Sequence, residues 1–209
     1  MQVYRHMDIG SAKIRPEEMQ GVPHHLVDCL EPDEEFNVVR FQQMAKEAMK
    51  GIYDRGRIPV LVGGTGFYIQ AVTGDIDFTV HGEDTTYRQM LEEKAKTEGA
   101  QVLHEMLAAV DPASAAAIHA NNVKRVIRAL EYYRQTGKPI SQHNEEQRQK
   151  ESPYNLAYFV LNDERTRLYE RIDARIDQML AEGLIDEVKT LKEMGYHKGM
   201  VSMQGLGDR

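Results

Sequence analysis

The chain has 209 residues, of which 41% are hydrophobic and 28% are charged, and its formal net charge at pH 7 is −7. This length suits one medium domain, or one domain with a smaller insertion, and the composition is that of an ordinary globular protein. The negative charge argues against a protein that coats nucleic acid with its whole surface. It still allows a local basic patch, because phosphate contacts act within a screening length of roughly 8–10 Å.

Cys29 is the single cysteine, which excludes an intrachain disulfide and a cysteine-based metal cluster. We therefore expect a cytoplasmic protein, since a reducing compartment is the default for such a chain. No apolar run approaches the roughly 18 residues that a membrane-spanning helix needs, and residues 1–6 lack the apolar core of a signal peptide. We expect no membrane partner.

The first part of the chain alternates between helix and strand patterns. Pro16–Glu18 predicts a short helix that begins at a proline, and Val22–Asp28 predicts a short strand. The pair His24-His25 invites a metal-site interpretation, but adjacent side chains of a strand point to opposite faces, so a structural role is favoured. Apolar residues at helical spacing predict a helix over Asn37–Arg55 that ends at Gly56.

The next segment, Ile58–Val62, is short, apolar and rich in β-branched residues, as buried strands are. It runs into Gly63-Gly64-Thr65-Gly66, and a helical segment follows over Phe67–Val72. Open α/β sheets keep their ligands where a strand turns into a helix, so Thr65 is a candidate site residue. A purely structural turn is an equally good interpretation, and the spacing is not that of a Walker A loop.

The pattern from Tyr87 to about Ser141 is helical, and the strand pattern returns only at Tyr154–Leu161. Two more helices are predicted after that, one after Asp163 and one over Leu184–Met194. The alternation predicts an α/β fold with a parallel sheet. We divide the chain into a first core part (residues 1–77), an inserted small helical domain (78–150) and a returning core part (151–209). The helices predicted inside the insertion are Tyr87–Glu98, Gln101–Val110 and Asn122–Gln135.

Two clusters of basic residues could bind phosphate. In Asn121–Lys138 the charge excess is +4, and Lys124, Arg125 and Arg128 lie opposite an apolar face made by Val123, Val126, Ile127 and Leu130. A solvated helix face explains this segment on charge alone, and contact with a nucleic-acid backbone is the alternative. Further on, Arg167, Arg171 and Arg175 recur every four residues beside Arg165, but four acidic residues balance them, which favours a surface held by salt bridges over a diphosphate clamp.

Several segments, in this order along nearly the whole chain, resemble the tRNA dimethylallyltransferase family. They are MQVYR at 1–5 with MDIGSAK at 7–13, VPHHLVD at 22–28, LVGGTGFY at 61–68, IH-x-N at 118–121, RVIRALE at 125–131, and R-x-x-LY-x-RI-x-x-R at 165–175. The resemblance implies a P-loop-type parallel sheet core, nucleotide- and ATP-binding in character, with a helical insertion. It also implies transfer of a dimethylallyl group from dimethylallyl diphosphate to N6 of the adenosine 3′ to the anticodon of tRNA, with Mg²⁺ as cofactor. We expect a monomer that acts on the anticodon stem-loop.

Site residues follow from the same resemblance. Thr65 would line the reaction channel and contact the adenosine, and Met1 and Gln2 would lie near the target base. Arg165, Arg171 and Arg175 would face the diphosphate. The tRNA contacts would be Met1, Gln2, Thr65, Arg88, Lys124, Arg125, Val126, Ile127, Arg128, Gln204 and Gly205, and no residue of this chain is expected to bind a metal.

The family begins with a strand, a P-loop and an Asp-Ser pair that would precede Met1, and it continues after the Gly-Leu-Gly at 205–207. We therefore expect Met1 to be an internal methionine, and the chain to be inactive by itself. Two other functions remain open. One is a small-molecule kinase of the adenylate-kinase type, which leaves the +4 segment unexplained, and the other is a non-catalytic tRNA-binding fragment.

Overall fold

The computed structural model describes residues 1–78 and 85–204. The chain divides into two compact units. One comprises Met1–Val72 with Leu156–Arg209, and the other comprises Thr73–Asn155, where the sequence predicted an insertion over residues 78–150. The helices within the described ranges are α1 (Val38–Asp54), α2 (Gly66–Thr73), α3 (Thr85–Glu98), α4 (Ala100–Val110), α5 (Pro112–Ala117), α6 (Val123–Thr136), α7 (Ile140–Gln149), α8 (Arg165–Glu182) and α9 (Leu184–Glu193), with short 3₁₀ helices at Pro16–Met19 and Ser202–Gln204.

The expected parallel sheet of the P-loop type is wrong for this structure. Residues 1–78 and 85–204 contain no strand, and Tyr4 and Leu30 form one isolated parallel bridge. The two runs expected to be strands, Ile58–Val62 and Tyr154–Leu161, have irregular backbone and mostly exposed side chains. Val62 is 88% exposed and Leu161 is 96% exposed. A β-branched run becomes a strand only when neighbouring chain completes its hydrogen-bond ladder, and neither run has such a neighbour in the described ranges.

The strand expected over Val22–Asp28 is also wrong. Leu26 and Asp28 have φ values of 61° and 52°, which belong to the left-handed region and interrupt a strand. The segment is nevertheless anchored at its end, because Cys29 and Leu30 donate backbone hydrogen bonds to the carbonyl of Val3 at 2.8 and 3.0 Å.

The first unit has a core in which the N-terminal segment packs on α9 and on the last 3₁₀ helix. Its buried residues are Val3, Tyr4, Met7, Leu30, Leu191 and Met203. Separately, α1 is held to α2 by Gln42, whose buried amide donates to the carbonyl of Ala71 at 2.6 Å. Asn37 caps α1 by accepting from the backbone of Val39 and Arg40, as its side-chain type predicts.

The second unit is a bundle of α3, α4, α5, α6 and α7, of which α3, α4 and α6 lie where the sequence predicted helices. Val126, Ile127 and Leu130 lie on the buried side of α6, as the apolar spacing predicted. They pack with Leu91, Leu103, Leu107, Ala115 and Ala129. The polar composition of residues 141–152 predicts a linker or a solvated helix end. In the structure α7 covers most of this segment, and none of its residues is buried.

Asp111 connects three helices of this bundle. Its carboxylate is 1% exposed and accepts hydrogen bonds from the backbone and hydroxyl of Ser114 at the start of α5. It also accepts from the backbone and hydroxyl of Ser141 at the start of α7, at 3.0 and 2.6 Å. Burial alone would raise the pKa of Asp111, but the bonds from Ser141 and Ser114 outweigh it and lower that pKa. In the described residues, no helix has both the length and the apolarity that crossing a membrane requires.

Candidate functional site

The basic face of α6, defined as Lys124, Arg125 and Arg128, is exposed to solvent. At 100° per residue these three side chains fall within an arc of about 100° on an ideal helix, with Arg128 between the other two. No carboxylate of the described ranges lies within 4.0 Å of their nitrogens. The face therefore offers three uncompensated positive charges to a polyanion.

Two of the residues predicted to contact tRNA, Val126 and Ile127, lie on the buried side of α6, away from the basic face. Val126 is 0% exposed and Ile127 is 4% exposed, and both belong to the apolar core of the bundle. Their side chains set the orientation of α6, and through it the direction of Lys124 and Arg128. The predicted tRNA contact at these two positions stays a prediction, and their burial assigns them a packing role in the bundle.

Arg88 of α3 lies beside the same face. Its Nε and Nη2 donate to the two carboxylate oxygens of Glu131 at 2.9 and 2.8 Å. Glu131 follows Arg128 by three residues, which is nearly one turn of α6, so the Arg88 guanidinium is brought to the end of the basic face. The Glu131 side chain is 6% exposed and that of Arg88 is 51% exposed, so about half of the arginine side chain faces solvent.

In the first unit, the turn Gly63–Gly66 is open to solvent. The backbone carbonyl of Thr65 accepts from the N–H groups of Tyr68 and Ile69 at 2.9 and 3.1 Å, so Thr65 is the residue immediately before α2 and closes its first turn. Its hydroxyl has no hydrogen-bond partner in the described ranges. A Cβ at Gly63, Gly64 or Gly66 would meet nothing within 4 Å, so these glycines leave room for a ligand to approach the backbone.

An aromatic cluster joins this turn to the N-terminal segment. The ring of Phe36 meets those of Tyr4 and Tyr68 edge-on at 6.3 and 6.1 Å, and Tyr68 also stacks on Phe41 at 4.8 Å. Tyr4 follows Gln2 by two residues and Tyr68 follows Thr65 by three. Burial raises the pKa of both tyrosines. The sequence analysis missed this cluster because its members lie far apart in the chain.

The first residues are fixed by short polar contacts. The side-chain amide of Gln2 donates to the backbone carbonyl of Ala12 at 2.7 Å. The backbone carbonyl of Gln2 accepts from the backbone N–H of Asp28 at 3.1 Å. Lys13, whose side chain is 5% exposed, donates to the carbonyl of Tyr4 at 2.7 Å and to the carboxylates of Asp8 and Asp28. Lys13 was also missed, since one lysine in a polar loop carries no distinguishing signal.

The arginines of α8 are exposed, and they do not all lie on one side of the helix. Arg171 and Arg175 are about 40° apart on an ideal helix, whereas Arg165 points about 120° away from Arg171. Arg171 Nη1 lies 3.7 Å from the carboxylate of Asp163 and Arg167 lies 4.0 Å from that of Glu164, so part of the row is held by acidic neighbours. No residue of α8 is buried.

The remaining predicted positions lie near the end of the chain. Gln204 is the last residue of the 3₁₀ helix that begins at Ser202, and Gly205 lies outside the described residues. Within the ranges that the structure describes, no group of three or more His, Cys, Asp and Glu side chains is arranged to hold a metal ion.

A family model and two curated relatives match this chain over nearly its whole length. A family model described as IPP transferase matches residues 2–209. The chain is 65% identical over 207 residues to a tRNA dimethylallyltransferase of Lachnoclostridium phytofermentans and 49% identical over 207 residues to one of Carboxydothermus hydrogenoformans. Both alignments cover 99% of this chain and 66% of the relative, so the chain spans slightly less than two thirds of their length.

Two solved structures with related names also match this chain. The full-length tRNA isopentenylpyrophosphate transferase of Bacillus halodurans matches with a TM-score of 0.64 at 47% identity, over 99% of this chain and 63% of that one. A eukaryotic dimethylallyltransferase described as acting on tRNA matches with a TM-score of 0.83 at 29% identity, over 99% and 53%. With a family model that matches all but its first residue, the chain belongs to the IPP transferase family.

Proposed function

We propose that this chain takes part in transferring a dimethylallyl group from dimethylallyl diphosphate to N6 of the adenosine 3′ to the anticodon in tRNA. Support comes from the curated relatives, both of which are named tRNA dimethylallyltransferase, and from the site geometry. The observation that carries the proposal is the basic face of α6: an acidic protein presents Lys124, Arg125 and Arg128 without acidic partners in the described ranges.

The chemistry asks three things of the protein. The bond between the allylic carbon and the diphosphate oxygen breaks, a bond from N6 to that carbon forms, and N6 loses a proton. Positive charge grows on the allylic carbon while negative charge grows on the leaving diphosphate, so cationic groups near the diphosphate lower the barrier. The adenine must also leave its stack to reach the reacting carbon.

We assign these tasks to two sets of residues. The basic face of α6, with Arg88, binds the phosphates of the anticodon stem-loop and fixes its register. Thr65 orients the adenosine through its hydroxyl, which has no hydrogen-bond partner among the described residues. Met1 and Gln2 contact the neighbouring bases. Arg171 and Arg175, with Arg165 from another side of α8, neutralise the diphosphate.

Mg²⁺ would add charge neutralisation at the diphosphate when bound. The described residues do not form a cluster that fits it, so no step is assigned to it here. The proposal also takes the protein to be a cytoplasmic monomer, which gel filtration of the full-length protein would test.

The direct experiment incubates full-length protein with isotopically labelled dimethylallyl diphosphate and unmodified tRNA. Transfer of label into tRNA supports the proposal. Phosphorylation of a nucleotide from ATP without prenylation would instead indicate a small-molecule kinase. Binding of tRNA without any transfer would indicate a non-catalytic RNA-binding protein.

A further inference from the structure

Glu187, in the first turn of α9, is bound by three consecutive backbone amides of the N-terminal loop. Its Oε2 accepts from the N–H groups of Asp8 and Ile9, each at 2.8 Å, and its Oε1 accepts from that of Gly10 at 2.9 Å. The partners are 177 to 179 residues apart in sequence, so this carboxylate ties two distant parts of the first unit together. No residue role assigned above uses Glu187.

Three convergent amides form a concave anion site, and such sites hold a carboxylate through charge-assisted bonds. Lys13 secures the loop from inside, at the carbonyl of Tyr4 and the carboxylate of Asp8. The backbone of Lys13 also donates to the carbonyl of Asp8 at 2.9 Å, which closes the loop. Glu187 and Lys13 thus fix the same loop through opposite charges. Of these two residues, Glu187 is the one that hydrogen-bonds the loop to α9.

The loop in turn determines where Gln2 lies. The carbonyl that accepts from the Gln2 amide belongs to Ala12, two residues after Gly10. Ala12 donates its own N–H to the carbonyl of Ile9 at 2.9 Å, so the position of Ala12 depends on the residues that Glu187 holds. A displacement of the amides of residues 8–10 would therefore move the Gln2 side chain and the chain next to it.

We propose that Glu187 is a positioning residue for the transfer reaction: by filling the amide site of Asp8, Ile9 and Gly10, it holds the loop that fixes Met1 and Gln2 beside the target base. This inference rests on the proposed function, which assigns Met1 and Gln2 to that place. Glu187 itself touches neither substrate. Its loss would slow the reaction through misplacement of Met1 and Gln2 more than it would weaken tRNA binding, because the phosphate contacts are assigned to the basic face of α6 and Arg88.

The first arm of the test measures amide hydrogen exchange in the full-length protein with Glu187→Gln and Glu187→Ala. A glutamine side chain has one acceptor oxygen, so when that oxygen takes the Asp8 and Ile9 amides, its NH₂ group faces the Gly10 N–H. We expect Gly10 to lose protection in Glu187→Gln and all three amides to lose it in Glu187→Ala. Unchanged protection of residues 8–10 in both variants would overturn the anchoring.

The second arm measures steady-state transfer by Glu187→Gln against the matched control Asp186→Asn, which removes the same charge one residue earlier. Asp186 pairs with Lys189 at 2.9 Å and does not contact the loop. We expect kcat of Glu187→Gln to fall by about tenfold, with KM for tRNA within about twofold of the control. Equal kcat in the two variants, or a loss confined to KM, would overturn the positioning role.

The two proposals fail in different ways. A full-length wild-type protein that transfers no dimethylallyl group refutes the proposed function, and the positioning role with it, while the exchange arm still decides whether Glu187 anchors the loop. An active wild type with an equally active Glu187→Gln refutes the positioning role alone.

Discussion

Arg88 and Glu131 form a two-point ion pair in which a half-exposed arginine side chain neutralises a buried carboxylate. Nε and Nη2 of Arg88 lie 2.9 and 2.8 Å from the two carboxylate oxygens. Replacing Arg88 with alanine would leave the Glu131 charge buried without this partner. We expect the free energy of unfolding to fall by about 1–2 kcal/mol, less than for a fully buried pair because Arg88 is half solvated. Urea denaturation measures it.

The matched control is Arg125→Ala, since Arg125 is exposed and has no acidic partner in the described ranges. Its effect on the free energy of unfolding should stay within about 0.5 kcal/mol. Equal losses in the two variants would show that the Arg88–Glu131 pair contributes nothing particular to the bundle.

The basic face of α6 should contribute a salt-dependent part of tRNA affinity. Replacing Lys124, Arg125 and Arg128 together by alanine should reduce the slope of log affinity against log salt by about 2–3, because each lost phosphate contact removes about 0.7–0.9. Fluorescence anisotropy titrations of tRNA at several salt concentrations measure the slope.

The control removes the same charge from the same unit at residues that already have acidic partners. Lys94 pairs with Glu98 at 2.8 Å, Lys96 with Glu93 at 3.7 Å and Arg148 with Glu145 at 3.7 Å. The triple alanine variant at Lys94, Lys96 and Arg148 should keep the wild-type slope. If both triple variants change the slope equally, the binding reflects overall charge, and the α6 face has no special role.

A variant at Ile127 distinguishes a role in packing the bundle from a role in contacting tRNA. Ile127→Val removes one methylene from the bundle core and should lower the free energy of unfolding by about 1 kcal/mol. Because the side chain is 4% exposed, the dissociation constant for tRNA should not change. A weaker tRNA complex with unchanged stability would restore the direct contact that the sequence predicted.

Asp111 should make the helical unit sensitive to acid. Its folded-state pKa is lowered, so the carboxylate stabilises the fold above its unfolded pKa, and this stability is lost as the pH falls from about 4 through the folded value. Asp111→Asn should cost about 1–3 kcal/mol at neutral pH, because the amide offers the Ser114 and Ser141 donors one acceptor oxygen in place of two. It should also flatten the pH dependence of the unfolding free energy below about pH 4, measured by urea denaturation at each pH. A parallel pH profile for wild type and variant would contradict this account.

Thr65→Ala tests the role of the turn before α2. The hydroxyl has no partner in the described ranges, so its removal should leave stability within about 0.5 kcal/mol of wild type. We expect the transfer rate to fall about tenfold or more, with little change in tRNA affinity. Single-turnover kinetics and a binding titration measure the two quantities. Equal effects on both, or none on either, would argue against a role in the reaction channel.

The sequence predicted what depends on local spacing and missed what depends on distant partners. The periodicity of α6 correctly separated buried Ile127 from exposed Arg128, because both follow from one helix. Ile58–Val62 has the composition of a buried strand, but composition does not supply the neighbouring strand that a sheet requires. The contact of Glu187 with Asp8, and that of Asp111 with Ser141, join residues whose separation leaves no local pattern.

The same distinction between local spacing and distant contacts applies to the candidate site. The exposed position of Lys124, Arg125 and Arg128 could be read from their spacing opposite an apolar face. The closeness of Arg88 to that face could not, because it depends on how α3 packs on α6. The aromatic bridge between Tyr4 and Tyr68 depends on Phe36, which lies in a loop between them and carries no periodic signal.

The central claim is tested most directly by nucleoside analysis of unmodified tRNA after incubation with the full-length protein and dimethylallyl diphosphate. Digestion and mass spectrometry show which nucleoside has changed. The account predicts a dimethylallyl group on N6 of the adenosine immediately 3′ to the anticodon, and its loss when that adenosine is replaced by guanosine. An unmodified adenosine at that position, or a modification elsewhere in the tRNA, would contradict it.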